Sequence, residues 1–141
     1  MTADIVDEVA FDVERGKIAE FARATFAEDP VHTDPDAAHA AGFDAVPATA
    51  THVVVAGHHR DQRGFVDKLG LAFERVVVGS VKWTYLRPLR AGDSLRGARR
   101  VVDDVRKRGG ALRVVTLETE YVDAAGQPAV RVTEVLIERG E

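Results

Sequence analysis

Cysteine is absent from the 141 residues. That excludes a disulfide scaffold, a thiolate nucleophile and any zinc or iron–sulfur centre built on sulfur. Aromatic residues are scarce at 6%, with a single Trp and a single Met. Ala and Val dominate the apolar set instead, so the expected core consists of small and β-branched side chains, which suit strands. Basic charge is not in excess. The 19 Lys and Arg are outnumbered by 23 Asp and Glu, for a net charge of −4, which argues against a nucleic-acid binder held by bulk positive charge. Apolar runs are short, so no membrane span is expected. The opening Met1-Thr2-Ala3-Asp4 has neither a basic stretch nor an apolar one, so no secretory signal is read there, and a cytoplasmic location is expected. What remains is 45% hydrophobic and 30% charged, the profile of a globular protein. A chain of this length buries roughly two-thirds of its unfolded surface. Without repeats, low-complexity stretches or linkers, one domain over 1–141 is expected.

The first half reads as helical. A short strand is marked by Val9, Phe11 and Val13, which alternate with polar residues. Ile18, Phe21, Ala22 and Thr25 then follow a helical period. Residues 26–34 form a polar loop. Asp34-Pro35 looks like an N-cap followed by Pro at the first helical position, and Gly42 like the residue just past a helix end, which predicts a helix over 35–41. Pro47 opens a run of Ala, Thr, Val and His, predicted as a buried apolar helix over 48–59. Its Val53-Val54-Val55 lowers the intrinsic propensity, so tertiary packing must hold it. Polar residues 60–71 contain a turn of helix.

The second half alternates with period two. Strands are predicted over 73–86, 94–106, 112–123 and 129–138, joined by 87–93 and by hairpins at 106–110 and 123–128. The apolar phase of the last strand changes between Val132 and Val135, and a bulge near Glu134 would account for it. The expected architecture is α+β, an antiparallel sheet wrapped around one long apolar helix. Its open edges favour pairing with a second such sheet, and so a dimer.

This is the layout of the hot dog fold. The stretch Val13-Glu14-Arg15-Gly16-Lys17-Ile18-Ala19-Glu20-Phe21-Ala22 resembles the opening of the MaoC-like dehydratases and hydratases. It is most similar to their N-terminal-type domain and to the small (3R)-hydroxyacyl-ACP dehydratase subunits. The resemblance runs on through Asp29-Pro30-Val31-His32-Thr33-Asp34, Val46-Pro47-Ala48-Thr49 and Tyr85-Leu86-Arg87-Pro88-Leu89-Arg90-Ala91-Gly92-Asp93. It implies an acyl thioester substrate, trans-2-enoyl or 3-hydroxyacyl, on coenzyme A or acyl carrier protein. No metal or redox cofactor is implied, and a homodimer or a heterodimer with another hot dog subunit is. The family's catalytic loop reads Asp, any residue, Asn, Pro, any residue, His. Here His32 and Pro30 match, Asp29 stands at the Asn, and Ala27 stands where the catalytic Asp belongs. Elimination of hydroxide needs a base for the α-proton and an acid for the oxygen, and Ala27 supplies neither. Two readings stay open. In one, Glu28 or Asp29 takes over beside His32, with Asp29 holding the water. In the other, the chain has lost catalysis and shapes the acyl pocket for a catalytic hot dog partner.

Each candidate also has a plainer reading. His32 can be a loop histidine bonded to local backbone, Asp29 a turn residue before Pro30, Glu28 an exposed acid and Asp34 a helix cap. The amides and hydroxyl around Ala48 and Thr49 could polarise a thioester carbonyl if a helix begins there; otherwise Thr49 bonds backbone. His52, His58 and His59 share the apolar run, but no spacing among them makes a metal site. Arg99-Arg100 and Arg106-Lys107-Arg108 are solvated clusters or contacts for the phosphates of the carrier. Gly109-Gly110 reads as a hairpin turn. A thioesterase would need a carboxylate near the apolar helix, and 47–59 contains no Asp or Glu, which places that activity last.

Overall fold

A computed structural model describes residues 4–140. Residues 1–3, on which the reading of the leader mostly rests, lie outside them. β1 (Ile5–Asp12) is followed by α1 (Arg15–Ala24), a 3-10 turn at Pro30–His32, α2 (Pro35–Ala40), a 3-10 segment at His52–His59 and α3 (Gln62–Lys68). The remaining strands are β2 (Val76–Tyr85), β3 (Ser94–Lys107), β4 (Leu112–Val122) and β5 (Pro128–Arg139). They form one five-stranded sheet in the order β1-β3-β4-β5-β2, with every neighbouring pair antiparallel. β1 and β2 are its edges. This is the α+β hot dog arrangement that the sequence pattern predicts. Among the described residues no helix is long and apolar enough to cross a membrane.

Local signals set the helices. α1 buries Ile18 and Ala22. In α2 the Asp34 carboxylate accepts the Asp36 N–H at 2.9 Å. Gly42, at φ +95°, ends that helix with its N–H on the His39 carbonyl and the next N–H, of Phe43, on Ala38. The left-handed turn is one that glycine takes without strain.

The apolar helix differs from expectation. Pro47 does not open a helix: it forms an isolated antiparallel bridge with Arg90, flanked by Ala48 N–H to the Leu89 carbonyl and Ala91 N–H to the Val46 carbonyl, both at 2.8 Å. The backbone is held extended there, and the turn comes later. The segment then winds with 3-10 bonds from His52 to Thr49 and from Val54 to Thr51. Three consecutive β-branched valines weaken the helical alternative. Its position in the fold is nonetheless the expected one, with His52, Val53, Val55 and Ala56 buried.

The bulge expected near Glu134 is also corrected. β5 pairs with β4 without a break from Thr133 to Val135. The register shift lies across the other ladder, between Val78 and Ser80 of β2. A Cβ on the intervening Gly79 would come within 2.8 Å of Ile137. Val130, Val132, Glu134 and Leu136 therefore keep one parity and share one face of β5. Three of these are buried core residues, so Glu134 is an acidic residue on the inward face. The core falls into two apolar clusters. The larger gathers Val9, Phe11, Ile18, Val53, Leu95 and Val132 among others. The smaller contains Phe65, Val66, Leu71, Val115, Leu117 and Leu136.

Candidate functional site

The loop that carries His32 is stiffened at both ends. α1 stops with Phe26 at φ +59°, its N–H on the Arg23 carbonyl and the Ala27 N–H on that of Ala22. This is a left-handed helix terminus with an aromatic residue where glycine is usual. The Phe26 side chain is 88% exposed. After it, the Asp29 carboxylate accepts the Val31 N–H at 3.1 Å and caps the Pro30–His32 turn. His32, half-buried, places Nδ1 2.8 Å from the Pro47 carbonyl oxygen. A carbonyl only accepts, so Nδ1 carries the hydrogen and neutral His32 keeps its lone pair on Nε2. The partner lies fifteen residues away in the extended strip that precedes the 3-10 segment, and is not local backbone.

That strip forms one wall of a groove of about 440 Å³, lined by Ala48, Thr49 and Ala50 facing Tyr85 and Leu86. The Ala48 amide is bonded to Leu89, which corrects the expectation of a free helix-start amide at this residue. The Thr49 hydroxyl is buried and has no hydrogen-bond partner among the described residues. Tyr85 donates its hydroxyl to the Ala50 carbonyl. Burial pushes its phenol up to about 12, so it stays protonated at neutral pH. The far rim is held by Arg87, which grips Asp93 at 2.8 and 3.1 Å and Asp123 at 3.2 Å.

The sequence-level candidates thus divide. His32 and Pro47 meet, next to the groove of Ala48 and Thr49. Asp29 is exposed and its carboxylate is committed to the turn. Glu28 is exposed, and Ala27 is half-buried. His52 is fully buried, with neither ring nitrogen bonded among the described residues. Its ring stands edge-on to Phe21 at 5.5 Å. Burial, helped by the Lys17 charge, lowers it to about 4, so it is neutral at physiological pH. His59 stacks on Phe11. Among the described residues no group of His, Cys, Asp and Glu is arranged to hold a metal ion.

Two polar features were missed at the sequence level. Arg99, read as solvent-facing or phosphate-binding, is buried at 2% exposure. It donates Nε and a terminal nitrogen to Asp7 at 2.8 and 2.6 Å, with its guanidinium 3.4 Å above the Phe65 ring. Arg60 joins from the end of the 3-10 segment, 2.8 Å from Asp7 and 3.2 Å from the Tyr121 hydroxyl. Burial alone would raise the Asp7 carboxyl, but the two guanidiniums hold it below its ordinary value. The second missed residue is Glu134, which lines a separate cavity of about 150 Å³ with Arg60, Gln62 and Trp83. An unbroken alternation along β5 would have pointed to it.

The five-stranded antiparallel sheet, packed against a buried central segment with a polar loop histidine ahead of it, defines a protein of the hot dog fold. One subunit of the truncated HadBC (3R)-hydroxyacyl-ACP dehydratase complex of Mycobacterium tuberculosis superposes with a TM-score of 0.79 at 22% identity, covering 97% of this chain and 99% of that one. A MaoC-like dehydratase superposes at 0.82 and 23% identity, over 94% of this chain and 40% of the other. The chain belongs to the FAS1-like dehydratase domain region family, whose family model matches residues 1–132. A UPF0336 protein of Saccharopolyspora erythraea is 37% identical over 132 residues, 93% of this chain and 83% of that protein.

Proposed function

We propose that the chain is the acyl-binding half of a cytoplasmic hot dog hydratase or dehydratase. Its substrates are trans-2-enoyl or (3R)-hydroxyacyl thioesters of coenzyme A or acyl carrier protein, handled without a metal or redox cofactor. One observation carries the reading: His32 bonds the Pro47 carbonyl and no carboxylate among the described residues. Ala27 holds the position of the acid, and Asp29 is turned to the Val31 N–H. Reversible addition of water needs two proton-transfer groups around one water, and His32 Nε2 by itself does not make that pair. A second hot dog chain whose loop carries both Asp and His supplies a complete pair. β2 offers the edge for such pairing. Among the described residues it pairs with β5 alone, and Val77 and Val78 are 39% and 61% exposed, an apolar edge that invites another strand. In the groove the unpartnered Thr49 hydroxyl is the donor for the thioester carbonyl.

A second reading, a hydratase active by itself, is favoured by the His32–Pro47 bond, because it leaves Nε2 basic and fixed in direction; Asp29 would then hold the water. Loss of enoyl absorbance separates the two. The chain alone should not hydrate enoyl-CoA, a mixture with a catalytic hot dog protein should, and His32→Ala in the mixture should change the rate by less than about threefold. Activity of the chain alone that falls roughly a hundredfold or more in His32→Ala, the scale of a lost acid–base group, establishes the second reading instead.

A further inference from the structure

The cavity beside Glu134 shares no lining residue with the groove beside His32 and has no part in that reading. Val53, Val54 and Gly57 form one wall, and Trp83, Val132 and Glu134 belong to the sheet opposite. Val81, Trp83 and Tyr85 alternate onto one face of β2. Tyr85 lines the groove, while Val81 and Trp83 line the cavity. Groove and cavity therefore lie along a single strip, roughly 13 Å from Val81 to Tyr85 at the rise of an extended strand. An acyl arm whose thioester rested at Ala48–Ala50 would run down that strip towards Glu134.

Glu134 sits between Val132 and Leu136, which are 6% and 7% exposed and belong to the two different apolar clusters. Its carboxylate stands between these two clusters on the inward face of β5, and lines the cavity together with Val81, Trp83 and Val132. Among the described residues no hydrogen bond or ion pair is formed to it. Arg60, in the same wall, is engaged with Asp7 and Tyr121. A saturated chain end pressed into the cavity would strip water from an unpaired carboxylate, which is unfavourable. A chain ending in a hydrogen-bond donor would give that carboxylate its missing partner.

We propose that this cavity receives the far end of the acyl group, and that Glu134 selects acyl groups bearing a hydrogen-bond donor there over plain saturated chains. The inference rests on the acyl-thioester reading above. The test is a calorimetric comparison of saturated acyl-CoAs of increasing length with their terminally hydroxylated counterparts, on the full chain and on Glu134→Gln and Glu134→Leu. At the matching length the unaltered protein should bind the hydroxylated member roughly tenfold tighter, the scale of one buried hydrogen bond made or lost. Glu134→Leu should reverse the preference, and Glu134→Gln should keep part of it. Glu134→Leu should also unfold at a higher temperature, because the two clusters then meet, which separates lost selectivity from lost fold. Equal affinity for the two members in the unaltered protein, or a preference that survives in Glu134→Leu, overturns the proposal while leaving the acyl-thioester reading intact. Failure of every thioester to bind the unaltered protein removes that reading, and this inference with it.

Discussion

Polar groups on the inner side of the sheet are treated in two opposite ways. Around Asp7 every charge is answered: Arg99 grips both carboxylate oxygens, Arg60 shares one of them and also reaches Tyr121, and Phe65 covers the Arg99 guanidinium. Around the 3-10 segment the Thr49 hydroxyl and both His52 nitrogens are left without partners among the described residues, and Glu134 faces a cavity. The first cluster ties the edge strand β1 to β3 and to the end of the segment. The second contributes no comparable tie and leaves its hydrogen-bonding capacity unused among the described residues. Unpaired buried polar groups are destabilising, and proteins retain such features chiefly at functional sites.

The largest test of this contrast is Arg99→Met. Removing one member of a buried ion cluster strands the other charge. With Arg60 still present, the loss should be roughly 3 kcal/mol in urea unfolding. The acid limb should change with it. Asp7 has a folded value below the ordinary 3.8, so its contribution is complete above that pH and is lost as the pH falls through the depressed value. In Arg99→Met that acid-side loss should shrink. A variant as stable as the parent would show that the closed cluster is not structural.

Much of this contrast was hidden from the sequence for a physical reason. The signals that could be read were local: Asp34, Pro35 and Gly42 punctuate α2, and period-two alternation marks the strands to within a few residues. The hidden ones depend on distant partners. Arg99 looks like a surface residue until Asp7, ninety-two positions away, lies beside it. Pro47 looks like the first residue of a helix until its bridge to Arg90 is seen. His32 is legible through the family resemblance, but its bond to Pro47 follows from that same bridged strip. Glu134 was concealed by an assumption rather than by distance: an inward acid was explained away as a break in phase.

His52 gives the next largest effect, on the open side. Its folded value near 4 lies below the ordinary 6.5, so between those values the unfolded chain takes up a proton that the folded chain refuses. Stability must therefore fall as the pH drops from 6.5 towards 4. From pH 7.5 to 5 the loss attributable to His52 should be roughly 2 kcal/mol. His52→Leu should remove that part of the slope and be no less stable at pH 7.5, since both ring nitrogens are unbonded. A slope that survives the substitution would show that the imidazole finds a partner in solution and belongs with the closed cluster.

The smallest effect is expected at the end of α1, ahead of the His32 loop. Phe26 is a non-glycine residue in the left-handed region, at φ +59°, and its ring is 88% exposed, so burial in this chain does not compensate the strain. Phe26→Gly relieves the backbone and loses almost no packing, while adding freedom to the unfolded state. Relief of the left-handed backbone, about 1–2 kcal/mol, exceeds the cost of the added unfolded-state freedom, roughly 0.4–1 kcal/mol, so the balance should be a gain of roughly 0.5 kcal/mol in the isolated chain. If the ring instead serves the second hot dog chain, the same variant should weaken that pairing, measured by sedimentation of the mixture. Greater stability together with weaker association would place Phe26 with Thr49 and Glu134, among groups whose partner lies outside the chain. A loss of stability in the isolated chain would mean that the ring is packed, and the open side would end at His32.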